Sequence, residues 1–260
     1  MKKAVFFDID GTIWDLQFKI PDSTREAIKS LKEKGHDCFL CTGRTRDYVR
    51  NEELLSLGFS GIVAGCGTYV EYLEEELFYQ CIPNDLLRKT VHLLTQFQVP
   101  TILEGRRNHF LNMEEFAEDP YLKVMEKELG DHILPIQGNE DKWEASKLTI
   151  EIAGIPKAEV FPQLEPNYTI ICHGDYYAEL VPKGMNKAAG IKRTCELLDI
   201  PWENTYAFGD SANDLEMLQY VNYGIAMGNG TKEAKEAADY VTTDIHRDGI
   251  KNGLLHYGLI

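Results

Sequence analysis

Short apolar runs alternate with amphipathic stretches over the opening part of the chain. Ala4 to Asp8 is an apolar run that closes on a carboxylate, the pattern of a strand covered on both faces. Pro21 and Asp22 open a helical segment through Lys34, and Gly35 stops it. His36 to Thr42 and Gly61 to Ala64 read as a second and a third buried strand. Strand–helix–strand units of this kind predict a parallel sheet with right-handed crossovers. The end of the chain repeats the theme. A helix at Asn186 to Leu198 precedes the strand Thr205 to Phe208, and a helix around Asp214 to Leu218 precedes the strand Tyr223 to Ala226. A last helix, Lys232 to Ala238, leads to the strand Tyr240 to Val241.

The middle of the chain follows another pattern. Leu86 to Phe97 and Phe116 to Leu129 have helical spacing, while Lys147 to Ile152 alternates polar and apolar residues as a half-exposed strand does. Val99 to Leu103 with Asn108 to Asn112 predicts a hairpin around Gly105, and Tyr168 to Cys172 with Tyr177 to Val181 predicts another. The expected fold class is therefore α/β, a Rossmann-like parallel-sheet core over residues 1–81 and 183–260, interrupted by an α+β insert at 82–182. No repeat or low-complexity tract appears.

Composition narrows the functional classes. Apolar residues make up 43% and charged residues 27%, ordinary values for a folded globular chain. No apolar run reaches the roughly 18 residues of a membrane span, and Asp8 and Asp10 interrupt the first apolar stretch too early for a signal-peptide core. A cytoplasmic location is expected. The net charge of −15 opposes nucleic acids and anionic membranes as partners. It also repels phosphorylated small molecules at long range, so a phosphate site here needs local positive charge or a metal. The six cysteines are expected to be reduced. Cys38 and Cys41 have the spacing of a redox dithiol, but in a strand residues three apart face opposite sides.

The residues that carry chemistry fall at strand ends, where open α/β sheets bind ligands. Asp8-Ile9-Asp10-Gly11-Thr12 closes the first strand and brings two carboxylates to that edge. Thr42-Gly43-Arg44 closes the second, and a hydroxyl with turn amides suits a phosphate. Gly209-Asp210-Ser211-Ala212-Asn213-Asp214 follows a third strand with two more carboxylates and an amide. Lys187 opens a helix, where a cation opposes the helix dipole. Each alone has an ordinary structural explanation: a turn, a helix start, a cap, a solvated lysine. Together they describe an all-oxygen site for a hard cation such as Mg²⁺, with Asp8, Asp10 and Asp210 as its acidic members.

This combination resembles the haloacid dehalogenase-like superfamily, and within it the Cof-type phosphatases. Their pattern is Asp-x-Asp-Gly-Thr, a Thr or Ser at a strand end, a Lys, and Gly-Asp-x-x-Asn-Asp, and all four elements occur here in order. The resemblance implies an Mg²⁺-dependent phosphatase with Asp8 as nucleophile and Asp10 as general acid and base. It implies a metal held by the Asp8 carboxylate, the Asp10 backbone carbonyl and Asp210, with Asp214 supporting from behind. Thr42, Gly43, Lys187 and Asn213 would hold the phosphoryl oxygens. The interval from Thr12 to Thr42 is too short for an inserted domain. That from Thr42 to Lys187 has room for a cap of about 100 residues, the Cof-type arrangement, in which the cap selects the leaving group.

One departure concerns the turn after the third strand. The family often carries Asn-Gly-Ala there, and this chain has Cys66-Gly67-Thr68. A thiol cannot replace the hydrogen bonds of an Asn amide. Glu104, Arg106, Arg107 and His109 surround the predicted hairpin loop in the insert, where a solvated charged loop accounts for them as well as substrate contact does. Asp10 and Asp210 argue against C–halogen hydrolysis, and the short first interval argues against a sugar phosphomutase. A non-catalytic module that binds phosphate ligands is the rival reading from outside enzymology. The expected partner is a small phosphorylated metabolite: a sugar phosphate first, pyridoxal phosphate or flavin mononucleotide next.

Overall fold

The structure, a computed structural model, describes residues 2–116 and 120–260. In chain order the elements before the insert are β1 (Ala4–Phe7), α1 (Asp22–Glu33), β2 (Asp37–Cys41), α2 (Glu52–Leu55), β3 (Gly61–Ala64), β4 (Tyr69–Tyr72) and β5 (Glu75–Tyr79). The insert contributes α3 (Asn84–Gln96), β6 (Thr101–Glu104), β7 (His109–Leu111), α4 (Pro120–Leu129), β8 (Ile133–Pro135), β9 (Lys147–Glu151), α5 (Lys157–Leu164), β10 (Tyr168–His173) and β11 (Tyr177–Pro182). The chain then runs through α6 (Lys187–Leu197), β12 (Thr205–Gly209), α7 (Leu215–Tyr220), β13 (Tyr223–Ala226), α8 (Lys232–Ala237), β14 (Tyr240–Val241) and α9 (Gly249–His256). Residues 117–119, in the expected helix Phe116 to Leu129, lie outside the described residues.

Two compact units result. One comprises Met1–Gly43, Asn51–Tyr79 and Asn186–Ile260; the other comprises Gln80–Met185 together with the short segment Arg44–Arg50. The first is built on an eight-stranded sheet ordered β14-β13-β12-β1-β2-β3-β4-β5. From β14 to β3 neighbouring strands run parallel, as the sequence predicts. Strand β1 sits in the middle, and every residue of it is buried. Phe6 stacks on Phe39 at 4.8 Å and Phe7 on Phe208 at 5.1 Å, so the strand is locked to both neighbours by its apolar side chains. Helix α1 buries Thr24, Ala27, Ile28 and Leu31, a stripe at helical spacing.

The hairpin β4–β5 extends this sheet in antiparallel fashion and was not expected from the sequence pattern. Its turn places Leu73 and Glu74 at φ 49° and 66°, the left-handed pair that a two-residue hairpin turn demands. Strand β5 is the edge of the sheet, with Glu74, Glu75 and Glu76 all exposed. The opposite edge, β14, is only two residues long.

The turn between β3 and β4 packs backbone against backbone. A Cβ on Gly67, which has φ +86°, would stand 2.3 Å from the Asn186 carbonyl oxygen and 2.8 Å from the Gly190 nitrogen. The first turn of α6 is thus seated directly on this loop. Gly67→Ala is expected to cost about 2–4 kcal/mol, from left-handed backbone strain and overpacking together, and a denaturant titration will read the shift in midpoint. Cys66 also lies in the left-handed region, at φ 54° and ψ 41°, and is buried. Asn enters that region far more readily than Cys. The backbone therefore supplies a conformational reason for an Asn at this point.

The second unit has a six-stranded sheet ordered β10-β11-β9-β6-β7-β8, antiparallel except between β7 and β8. Both predicted hairpins are present. Strand β9 pairs on both sides and keeps the expected alternation, with Leu148 and Ile150 buried and Thr149 and Glu151 partly exposed; Lys147 alone departs from it. Its Lys147 is buried between Glu104, at 3.4 Å, and Glu179. His109, fully buried, faces Asp47 at 3.3 Å and Glu104 at 3.7 Å. Glu104 and His109 therefore belong to an internal charge network and not to a solvated loop. A buried ion pair is tolerated only when its partners and hydrogen bonds are complete. Thr149 Oγ1 donates a further bond to Glu104, at 2.5 Å.

Candidate active site

The first unit gathers the predicted residues at the carboxyl ends of β1, β2 and β12. Register fixes the levels: Phe7 pairs with Leu40 on one side and Phe208 on the other, and the Asp8 amide donates to the Phe208 carbonyl at 2.9 Å. Asp8 thus emerges between the ends of both neighbouring strands. The chain passes from β1 to β2 on one side and returns to β12 on the other, so this is the topological switch point where α/β sheets bind ligands.

Lys187 is the first residue of α6, whose preceding Asn186 caps the helix by accepting from the Ala189 amide at 2.8 Å. Its side chain is buried and its ammonium donates to Asp8 Oδ1 at 2.5 Å, Asp214 Oδ1 at 2.6 Å and Asn213 Oδ1 at 3.1 Å. Burial disfavours the ammonium, but the carboxylates of Asp214 and Asp8 outweigh it and hold the Lys187 pKa well above its usual value. For Asp8, burial pushes the pKa well up, opposed by Lys187 and reinforced by the charges of Asp214, Asp210 and Asp10.

Asp210 follows β12. It accepts from Thr12 Oγ1 at 3.0 Å, and its pKa is pushed up to about 7, chiefly by burial and then by Asp214. Gly11 explains the glycine of the first motif: at φ +84°, a Cβ there would stand 2.4 Å from Asp210 Oδ2. Asp214 Oδ2 accepts from the backbone amides of Asp210 and Ser211 at 2.9 and 3.0 Å. It forms a capping box with Ser211 while its other oxygen meets Lys187. One carboxylate therefore shapes the loop and orients the lysine.

The remaining expected residues are less tightly clustered. Asp10 is exposed, and its Oδ1 accepts from the indole Nε1 of Trp14 at 2.8 Å, a partner that sequence reasoning missed. Only the spacing of four residues within one tight loop could have signalled it. Thr42 and Gly43 are buried just beyond β2; the Thr42 amide donates to Val63 and its carbonyl accepts from Cys66. The Cys38 and Cys41 thiols are free and buried, and burial pushes that of Cys38 up to about 12 and that of Cys41 higher still.

Carboxylate oxygens of Asp8, Asp210 and Asp214 all lie within 4.8 Å of one another. All of these donors are carboxylate oxygens, so a hard divalent ion fits the set in charge and in ligand type. Lys187 and Thr12 orient these oxygens from outside, as such sites require.

Comparison with known proteins points to one family. A family profile described as haloacid dehalogenase-like hydrolase matches residues 5–254. The YkrA protein of Bacillus subtilis (strain 168) is 31% identical over 99% of this chain and 98% of its own. The 5-amino-6-(5-phospho-D-ribitylamino)uracil phosphatase YcsE of the same organism is 29% identical over 99% of this chain and 96% of its own. Among solved structures, the subclass IIB sugar phosphatase BT4131 superposes with a TM-score of 0.82 at 29% identity, covering all of both chains. No helix among the described residues is long and apolar enough to cross a membrane. The chain belongs to the haloacid dehalogenase-like hydrolase family, as a Cof-type phosphatase of phosphate monoesters.

Proposed function

We propose that this protein hydrolyses phosphorylated sugars or sugar alcohols in an Mg²⁺-dependent reaction through an aspartyl-phosphate on Asp8. The observation that carries this reading is the Lys187 ammonium bridging Asp8 and Asp214 beside Asp210, at the carboxyl ends of β1 and β12. In the first step an Asp8 carboxylate oxygen attacks phosphorus as the bond to the leaving alcohol breaks, and Asp10 gives that alcohol a proton. In the second, Asp10 takes a proton from water, which attacks phosphorus and returns the Asp8 carboxylate with release of inorganic phosphate. Lys187, Thr42, Gly43 and Asn213 hold the phosphoryl oxygens. Asn213 Oδ1 already accepts from Lys187 and Ser211, which leaves its amide hydrogens for an anion.

Asp8, Asp210 and the Asp10 carbonyl would hold Mg²⁺, with Asp214 behind them; bound there, the ion offsets repulsion between Asp8 and the substrate phosphate. Residues 82–182 act as the specificity cap on a core made of 1–81 and 183–260. The substrate class is supported by chemistry common to two relatives: one is a sugar phosphatase, and the other's named substrate carries its phosphate on a ribityl chain. Both are alkyl phosphates of polyhydroxylated chains. The reading is tested by phosphate release from sugar phosphates, ribitol 5-phosphate, pyridoxal phosphate and flavin mononucleotide, with Mg²⁺ and with EDTA. Release is expected with Mg²⁺ only, fastest from the first two. Preference for pyridoxal phosphate, whose phosphate is not on a polyhydroxylated chain, would overturn the substrate class, and release unaffected by EDTA would overturn the metal.

A further inference from the structure

We infer that Trp14 is a positioning residue for the proton-transfer group: its indole N–H fixes the Asp10 carboxylate so that one defined oxygen carries the proton to the leaving alcohol. This rests on the reading of Asp10 as general acid and base given above.

The loop after β1 is closed by its own backbone. The amides of Thr12, Ile13 and Trp14 all point to the Ile9 carbonyl, at 3.3, 3.0 and 3.2 Å, and the Gly11 amide donates to the Trp14 carbonyl at 2.9 Å. Asp10 and Trp14 form a bridge across this turn. The Trp14 ring is 2% exposed and meets Phe18 edge-on at 5.3 Å. Asn229 Nδ2 ties the same loop from outside by donating to the Gly11 carbonyl at 2.7 Å. The indole is therefore held at both backbone and ring, while the group it touches, Asp10, is exposed. An exposed aspartate on a turn ordinarily samples several rotamers. Here a rigid donor holds Oδ1 at 2.8 Å.

The chemistry of the donor sets the direction of the proton. An indole nitrogen donates and never accepts. Its favoured partner on a neutral carboxyl group is the carbonyl-type oxygen, so the transferable proton belongs on Oδ2. When Asp10 has given that proton to the alcohol, the same N–H stabilises the carboxylate with a charge-assisted bond. The carboxylate then stands ready, unrotated, to take a proton from the hydrolytic water. A single fixed orientation thereby serves both half-reactions.

The test uses leaving groups. kcat/KM reports steps up to departure of the alcohol, and an alkyl alkoxide needs a proton there whereas p-nitrophenolate does not. Trp14→Phe keeps an aromatic ring and removes the N–H. It is expected to lower kcat/KM roughly 10-fold for a sugar phosphate and less than about 2-fold for p-nitrophenyl phosphate. Asp10→Asn is the control and is expected to show the same asymmetry with a larger loss. If Asp10→Asn shows it and Trp14→Phe affects both esters equally, or neither, the positioning role is overturned while the assignment of Asp10 stands. If Asp10→Asn shows none, that assignment fails and takes the role of Trp14 with it.

A second readout needs no turnover. The chain has three tryptophans, and Trp143 and Trp202 donate instead to the carbonyls of Ile136 and Tyr220. Trp143→Phe and Trp202→Phe identify the third indole N–H resonance by elimination. In Asp10→Asn that resonance alone is expected to move, and an unmoved Trp14 signal would overturn the contact.

Discussion

Asp8→Asn is expected to lower phosphate release by at least about 10⁴-fold, the scale seen when a nucleophile is removed and binding remains, while the melting temperature holds or rises. The substitution is nearly isosteric, so the buried packing around β1 is kept. It removes one charge from a group of mutually repelling carboxylates, Asp8, Asp10, Asp210 and Asp214, whose interactions with Asp8 all disfavour its ionised form. Lys187 keeps Asp214 as a partner at 2.6 Å. Paired measurements of phosphate release and thermal unfolding check this. A folded variant with near-wild-type turnover would mean that another group attacks phosphorus. Intact mass spectrometry adds a direct check, since a trapped phosphoryl adduct should appear on the wild type and be missing from the variant.

Lys187→Met should damage stability as well as activity. The lysine side chain is 1% exposed and its ammonium bridges Asp8 and Asp214, themselves buried. Methionine fills most of its volume, so the chief loss is the countercharge. Removing one partner of a buried ion pair costs about 3–5 kcal/mol, because the other charge stays buried without compensation. The sign with pH follows from proton uptake. In the variant the folded state binds a proton on Asp8, whose pKa burial already raises, more readily than the unfolded chain does. The cost therefore grows as pH rises above about 4 and fades as pH falls toward it, where an aspartate binds its proton in either state. Denaturant titrations of both proteins at neutral and acid pH will show the difference closing. A deficit that stays constant with pH would assign the loss to packing instead. Activity should be absent at every pH, since the phosphoryl oxygens lose their principal cation.

Much of this was legible because the chemistry sits where strands end. A run such as Ala4 to Asp8 announces both a buried strand and the point at which polar groups first reach solvent, so Asp8, Thr42 and Asp210 could be placed at one sheet edge without coordinates. The hairpin β4–β5 was hidden by its glutamates, which break the apolar pattern of Tyr69 to Tyr79. Helix α5 was hidden too, since it is short and carries Pro162. Lys147, Glu104 and His109 read as surface residues because a single strand does not reveal that its charges find partners across the sheet. The bond between Trp14 and Asp10 depends on how tightly one loop closes, and periodicity says nothing of that.

The acidic rim of the first sheet has a consequence for behaviour in concentrated solution. An edge strand offers unpaired amides and carbonyls to any other strand, the usual start of aggregation. At the start of β5 and in the turn before it, the exposed Glu74, Glu75 and Glu76 would set like charges face to face if two copies tried to join there. On β14 there are only two residues to join. The charge that repels phosphate at long range thus also keeps copies of the sheet apart, and this protection is electrostatic: it weakens with salt.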